Sequence, residues 1–343
     1  MIYLDHNATS PLCDAALEAM MPWFGIPTNP FSAHRYGRAA AAAVDRARGQ
    51  VAALAGWTRD GVYFTSGATE ANNTVLSRGR WMVSAVEHPS VYVWADAFLG
   101  VDECGRVRLE ELAAPGALDG FDGLSVMLAN NETGVIAPIV EIAKIARGAG
   151  VLLHVDASQA PGRIPMRIAA DFVTLSAHKF GGPQGMGALL VRAGLSPEPL
   201  LRGGPQERGR RAGTPNVAGI VGMGAAAAAT FPAMSPARRD RLERALVAIG
   251  GRVAGAGADR LPNTTAVAFD GIEAADLVMA LDLEGVAVSA GSACSSGAAE
   301  PSHVLRAMGF AGSAVRFSLD AGTSDADVDE AAAAVARVLA RLP

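Results

Sequence analysis

Lys179 sits where a strand-like apolar run, Phe172 to Leu175, gives way to Ser176, Ala177 and His178 and then to a loop holding Gly181, Gly182, Gly185 and Gly187. A lysine at the end of a buried strand occupies the edge where α/β enzymes place their chemistry. Partial desolvation there favours the neutral, nucleophilic amine, which suits a Schiff-base lysine. Taken alone, a lysine after a strand more often reaches into solvent. Two upstream segments change that balance.

Val151 to Val155 reads as a second buried strand and delivers Asp156 and Gln159 at its end. Val62 to Thr65 reads as a third, followed by Ser66-Gly67-Ala68-Thr69 and a helical pattern. A strand, a small-residue turn and a helix N-terminus form an anion cradle from backbone N–H groups. By itself that turn is a weak signal. Together the three segments offer a phosphate seat, a carboxylate for a pyridinium nitrogen and an imine-forming amine, the set that pyridoxal phosphate (PLP) requires.

Ten motifs in register carry a sharper likeness. They are IYLDHNAT (2–9), NPFSAHRYG (29–37), FTSGATEANN (64–73), VEHPSV (86–91), NNETGV (130–135), HVDASQAPGR (154–163), SAHKFGGPQGMGAL (176–189), RGRRAGTPN (208–216), GSACSSGAAEPSHVLRAMG (291–309) and VRFSL (315–319). The sequence resembles the cysteine desulfurases of the NifS/IscS type, within the PLP-dependent class V aminotransferase group. The resemblance covers nearly the whole chain. It implies an α/β chain of the PLP-dependent transferase fold type I. A mainly parallel seven-stranded sheet is expected in a large domain, residues 11–233, with one antiparallel member at 185–191. Residues 1–10 and 234–343 are expected to form a smaller α/β C-terminal domain carrying the cysteine loop.

The resemblance also assigns roles. Lys179 forms the imine with the cofactor and Asp156 pairs with its ring nitrogen. His88, at a strand end where a histidine is more often structural, stacks on the ring and shuttles protons; its ordinary pKa suits that task. Ala68, Thr69, Ser176 and His178 hold the phosphate, and Gln159 bonds the ring oxygen. Asn131 serves both the cofactor and the substrate carboxylate, and Asn7 lies near the substrate. His6 stands where asparagine is commoner. Arg316, charged amid apolar neighbours, grips the carboxylate with a bidentate fork. Thr214, in an Arg- and Gly-rich loop, reaches the phosphate of a neighbouring subunit, which makes the enzyme a homodimer.

Cys294 is flanked by Gly291, Ser292, Ser295, Ser296 and Gly297. A buried structural thiol is the commonest fate of cysteine, but this setting fits a loop better. A thiol there can take sulfur from L-cysteine as a persulfide, release alanine and pass sulfur to an acceptor protein. Iron–sulfur cluster assembly, thio-cofactor synthesis and tRNA modification are the expected uses.

Other classes fit less well. Lys+Arg 29 against Asp+Glu 34 gives a net charge of −5, so no basic footprint points to nucleic acid. The hydrophobic runs are broken by charges, Gly or Pro, and the N-terminus lacks a secretory pattern. Cys13, Cys104 and Cys294 have no metal-ligand spacing, so no metal and a reducing, cytoplasmic setting are expected. VGMGAAAA (221–228) mimics a dinucleotide fingerprint but lies within a helical pattern. Selenocysteine lyase or another class V PLP activity remains open. So does a metal-dependent hydrolase built on His154 and Asp156, which share a strand face, with His178.

The elements that must position these residues follow from pattern. Helices are expected over 11–25, 37–56, 69–78, 138–149, 236–249, 273–284, 301–308 and 325–341. Strands are expected over 62–65, 81–86, 124–130, 151–155, 172–175, 185–191, 265–270, 286–289 and 315–319. Region 92–126 is compressed relative to the family, with a peripheral strand shortened or lost. The resemblance implies that the tail by which housekeeping members dock their scaffold protein is missing here, since the last helix is expected to run almost to Pro343.

Overall fold

The computed structural model describes residues 1–166, 168–229, 234–291 and 302–342. Cys294 lies outside the described residues. The chain enters through β1 (Ile2–Tyr3), a short strand of an N-terminal arm. A large sheet follows, built from β2 (Val62–Thr65), β3 (Trp81–Ser84), β4 (Ala97–Leu99), β5 (Gly123–Ser125), β6 (Leu152–Asp156), β7 (Phe172–Ser176) and β8 (Gly187–Val191). Among the described residues it has seven strands, in the order β2-β8-β7-β6-β5-β3-β4.

β4, β3, β5, β6 and β7 run parallel, whereas β8 lies antiparallel between β7 and β2. The mainly parallel sheet and its antiparallel member are as expected. β7 and β8 are buried at every position, which is why both read as continuous apolar runs without alternation. Helices Arg35–Ala55 and Val217–Ala228 pack closely on each other. Gly224 makes this possible, because a Cβ there would lie 2.6 Å from Ala47. The sequence 221–228 is thus a helix-packing surface.

A second sheet has β9 (Arg252–Ala254), β10 (Thr264–Ala268), β12 (Ser289–Ala290) and β13 (Val315–Ser318), in the order β12-β13-β10-β9. The intervening β11 (Val286–Ala287) pairs in parallel with β1. Helix Asp325–Leu339 covers this region with Val328, Ala331, Val335 and Val338 inward. A reciprocal capping box between Ser324 and Asp327 starts it.

Several expected boundaries are corrected. The 11–25 helix is Asp14–Met20 and then a 3₁₀ turn, Met21–Trp23, because Pro22 supplies no N–H to continue the ladder. The 124–130 strand stops at Ser125, although Val126 and Leu128 still donate to His154 and Asp156 of β6. The single strand at 286–289 is two, β11 and β12, on different sheets. β9, three residues opening with Arg252, carries too little pattern to be read and was not expected. The 92–126 region contains an edge strand, β4, of three residues.

Candidate active site

Parallel strands end together, so their last residues and the following turns gather at one edge. Asp156 ends β6 and is 5% exposed. Its Oδ2 accepts from Asn72 Nδ2 at 2.8 Å; its Oδ1 accepts from the Ser158 N–H at 2.9 Å and hydroxyl at 2.6 Å. Ser176 ends β7, and the next turn, Ala177–Lys179, aims the amine inward. Lys179 Nζ donates to the carbonyls of Asn7 and Ala8, each at 2.7 Å.

β2 leads through Ser66 and Gly67 into helix Ala68–Leu76, whose N-terminus receives no side-chain cap. That leaves first-turn N–H groups without a side-chain cap where Ala68 and Thr69 border the cleft. The turn lies flat on β8 because residue 187 is glycine. A Cβ there would sit 2.6 Å from the Gly67 backbone and 2.8 Å from the Leu175 carbonyl. Ser66 N–H donates to Glu70, whose carboxylate pairs with Arg211 at 3.1 Å.

His88 caps the one-turn helix Pro89–Tyr92; its Nδ1 accepts from the Ser90 N–H at 3.1 Å. The neutral ring therefore carries its proton on Nε2. Burial pushes its pKa below the ordinary value; Asp156 opposes that, while Lys179 and His303 add to it. Asn72 Nδ2 also donates to Ser90 Oγ at 2.9 Å, so one amide links the imidazole's partner to Asp156.

On the opposite wall, Arg316 of β13 is 3% exposed. It donates to Asp5 at 2.7 Å and to the Asn131 carbonyl at 3.0 Å, while its Nε has no partner among the described residues. The N-terminal arm supplies Asn7, Ala8 and Thr9 to the same space, while Asp5 stands behind Arg316. Asn7 is pinned by Thr264, Asn263 and the Asn131 carbonyl. Gln159 Nε2 donates to the Asn7 carbonyl at 3.0 Å, and its Oε1 accepts from Arg163. His178 Nδ1 lies 3.1 Å from Thr9 Oγ1; burial, then Lys179, lowers its pKa to about 4.

All of the expected site residues among these border one cleft of about 1040 Å³. Thr214 does not; it is exposed on its loop. The hydrolase alternative fails at His154. That ring is 0% exposed, with its nitrogens 2.8 Å from Ser125 Oγ and 3.0 Å from Thr174 Oγ1. Among the described residues no group of three or more His, Cys, Asp or Glu side chains is placed to hold a metal. Pattern reading missed Asn72, Asp5, Arg163 and Glu132. Asn72 lies within the quoted FTSGATEANN motif, yet a polar helix residue gives no sign of its partners.

The model of the family described as "Aminotransferase class-V" matches residues 2–331. The chain belongs to the class V aminotransferase family. A relative named cysteine desulfurase, from Cereibacter sphaeroides, is 44% identical over 96% of this chain and 93% of its own. The solved NifS-like protein from Rickettsia africae is 33% identical, with a TM-score of 0.91 over 99% of each chain. SspA in complex with cysteine is 28% identical, with a TM-score of 0.82 over 93% of this chain and 99% of its own. Within this class V chain, the cleft described above lies where β6 and β7 end, with an amine, a carboxylate, an imidazole and an uncapped helix N-terminus around it.

Proposed function

We propose that this chain is a PLP-dependent cysteine desulfurase. It converts L-cysteine to L-alanine while Cys294 takes the sulfur as a persulfide. The observation that carries this reading is the placement of Lys179, Asp156, His88 and the uncapped N-terminus of helix Ala68–Leu76 around one cleft. The residues fit PLP. Ala68, Thr69, Ser176 and His178 would hold the phosphate, Asp156 the ring nitrogen, Gln159 the ring oxygen and Lys179 the aldehyde carbon. When bound, the cofactor supplies an electron sink that makes the substrate Cα proton acidic and weakens the Cβ–S bond.

The chain's own groups do the rest. Asp156, held by three donors, keeps its charge aimed at one point. Lys179 Nζ takes the Cα proton, and His88, neutral with its proton on Nε2, assists the transfer. Arg316 and Asn131 bind the substrate carboxylate, with Asn7 beside them. The Cys294 thiolate attacks the substrate sulfur. An S–S bond forms, the Cβ–S bond breaks and the carbon fragment leaves as alanine, so cysteine plus thiol gives alanine plus persulfide.

Cys294→Ser tests this. The variant should keep cofactor absorbance and release no sulfur from L-cysteine; full alanine and sulfide production would remove the thiol from the reaction. Parallel turnover of selenocysteine separates the lyase alternative.

A homodimer is part of the proposal, with Thr214 given to the neighbouring cleft. Support comes from exposed apolar side chains near the N-terminus, Leu17 at 47%, Met21 at 59%, Phe24 at 66% and Phe31 at 55%. The division into 11–233 and 1–10 plus 234–343 is likewise proposed, supported by the two sheets and by the pairing of β1 with β11. An acceptor protein receives the sulfur. No helix among the described residues is long and apolar enough to cross a membrane; a cytoplasmic site of action is proposed from the free-thiol chemistry.

A further inference from the structure

One carboxyl on the cleft wall takes no part in the steps above. Glu132 follows Asn131 and is 5% exposed. Its own N–H donates to Asn130 Oδ1 at 2.9 Å, which fixes the turn. Ser302 lines the same cleft and, as a hydrogen-bonding neighbour, acts to lower the pKa of Glu132. Its Oε2 has no hydrogen-bond partner among the described residues. That oxygen instead packs on Gly291, where an added Cβ would lie 2.5 Å away.

Gly291 and Ser302 are the two residues that flank 292–301, the stretch containing Cys294. Gly291 extends from β12, where its N–H donates to the Ala314 carbonyl beside β13. Ser302 is anchored as the N-cap of helix His303–Ala307, accepting from Val304 N–H at 3.1 Å. A single carboxyl therefore packs on one of the points at which the thiol-bearing stretch joins the fold and neighbours the other. Burial raises its pKa to about 7; the Ser302 bond and Arg316 act in the opposite direction.

We propose that Glu132 is a positioning residue for the sulfur chemistry, a clasp that fixes the spacing and direction of the two ends of the Cys294-bearing stretch. The role rests on the desulfurase reading, but the clasp itself can be tested without turnover. Its contacts explain two small residues that flank the thiol. A Cβ at residue 291 would fall 2.5 Å from the carboxyl oxygen, so a side chain there has to displace the carboxyl from this position. Residue 302 must offer a short hydroxyl that can cap a helix and reach the carboxyl together.

The test is a double-mutant cycle between Glu132→Ala and Gly291→Ala, with Glu132→Gln as the conservative rescue. Two rates are read by peptide mass at residue 294. One is alkylation of the resting enzyme by iodoacetamide; the other is persulfide formation in a single turnover with L-cysteine. E132A is expected to change both rates by about tenfold while cofactor absorbance stays, and E132Q to remain within about threefold of the original. G291A alone should cost about tenfold, but less than about threefold on top of E132A. If E132A does not fold, Glu132→Asp, one methylene shorter, is read by the same two rates with the same expectation.

Unchanged rates in Glu132→Ala, or in Glu132→Asp where it takes its place, or an equal G291A cost in both backgrounds, overturns the clasp. If alkylation responds as described but the original chain forms no persulfide, the clasp stands and the desulfurase reading falls.

Discussion

Asn72 shows how much of this site depends on groups that perform no chemistry. Its one amide nitrogen donates to Asp156 and to Ser90, the partner of His88. Asn72→Ala should weaken cofactor binding by tenfold to a hundredfold, the scale of about 1.5–3 kcal/mol for a hydrogen bond to a charged group. Equilibrium dialysis of the cofactor measures it, and unchanged affinity would contradict the network. Arg316 already spends two donors on Asp5 and the Asn131 carbonyl, so its fork is held in one orientation. Arg316→Lys keeps the charge and loses the fork; KM for L-cysteine should rise at least about tenfold, with a smaller change in kcat. Lys179 and Asp156 stand out in the sequence because each ends an apolar run, whereas His88 is singled out only by the family resemblance. Asn72, Asp5 and Glu132 were not legible, because what they do depends on partners 18 to more than 300 positions away. No local pattern records such contacts.

At the scale of elements, two devices carry the site: the open N-terminus of helix Ala68–Leu76 and the backbone of β8 beneath it. Gly187→Ala would drive a methyl group into the Gly67 turn, at 2.6 Å from its backbone. The expected result is a clear loss of phosphate affinity, seen as a raised Kd for inorganic phosphate or for the cofactor, with the sheet intact by circular dichroism. Equal affinity would show that the turn does not seat an anion. Long elements were readable from period alone. Helix Arg35–Ala55 was placed within two residues at its start and one at its end, and β2 was placed to the residue. Errors fall at strand ends and at short strands. The chain leaves β5 after Ser125 while continuing to donate to β6, and it crosses between sheets at Val288, so apolar content outlasts the ladder that defines a strand.

For the molecule as a whole, buried titratable groups leave a signature in stability. Glu132 is raised to about 7 in the folded chain, against an ordinary 4.5. Between those values the folded state holds a proton that the unfolded state has lost, so this group's contribution is present at low pH and is lost as pH rises through 7. Histidines 154 and 178, lowered to about 4, act in the opposite sense and lose their contribution as pH falls below 6.5. Glu132→Gln removes one of the opposing slopes. Its unfolding free energy, relative to the original chain, should rise with pH by about 1.4 kcal/mol per unit between 4.5 and 7. Denaturant titrations across that range check it, and parallel curves would contradict the buried, neutral carboxyl.

Assembly is tested by mixing. A Lys179→Ala chain and a Thr214→Ala chain, each impaired alone, should regain activity when co-expressed if Thr214 serves the neighbouring cleft. The heterodimer then contains one intact site. Activity no higher than that of the Thr214 variant alone would place the threonine outside any shared site. The expectation for Thr214 rests on the family resemblance alone. An exposed threonine and a set of exposed apolar residues carry no address.

The central claim is a carbon–nitrogen bond between Lys179 and the cofactor aldehyde. Borohydride reduction of the PLP-loaded protein, followed by proteolysis and mass mapping, measures it directly. The account predicts one pyridoxyl adduct, on the peptide containing Lys179, and none in Lys179→Ala. An adduct on Lys144, the chain's other lysine, or a bound cofactor that borohydride fixes to no residue, would contradict it.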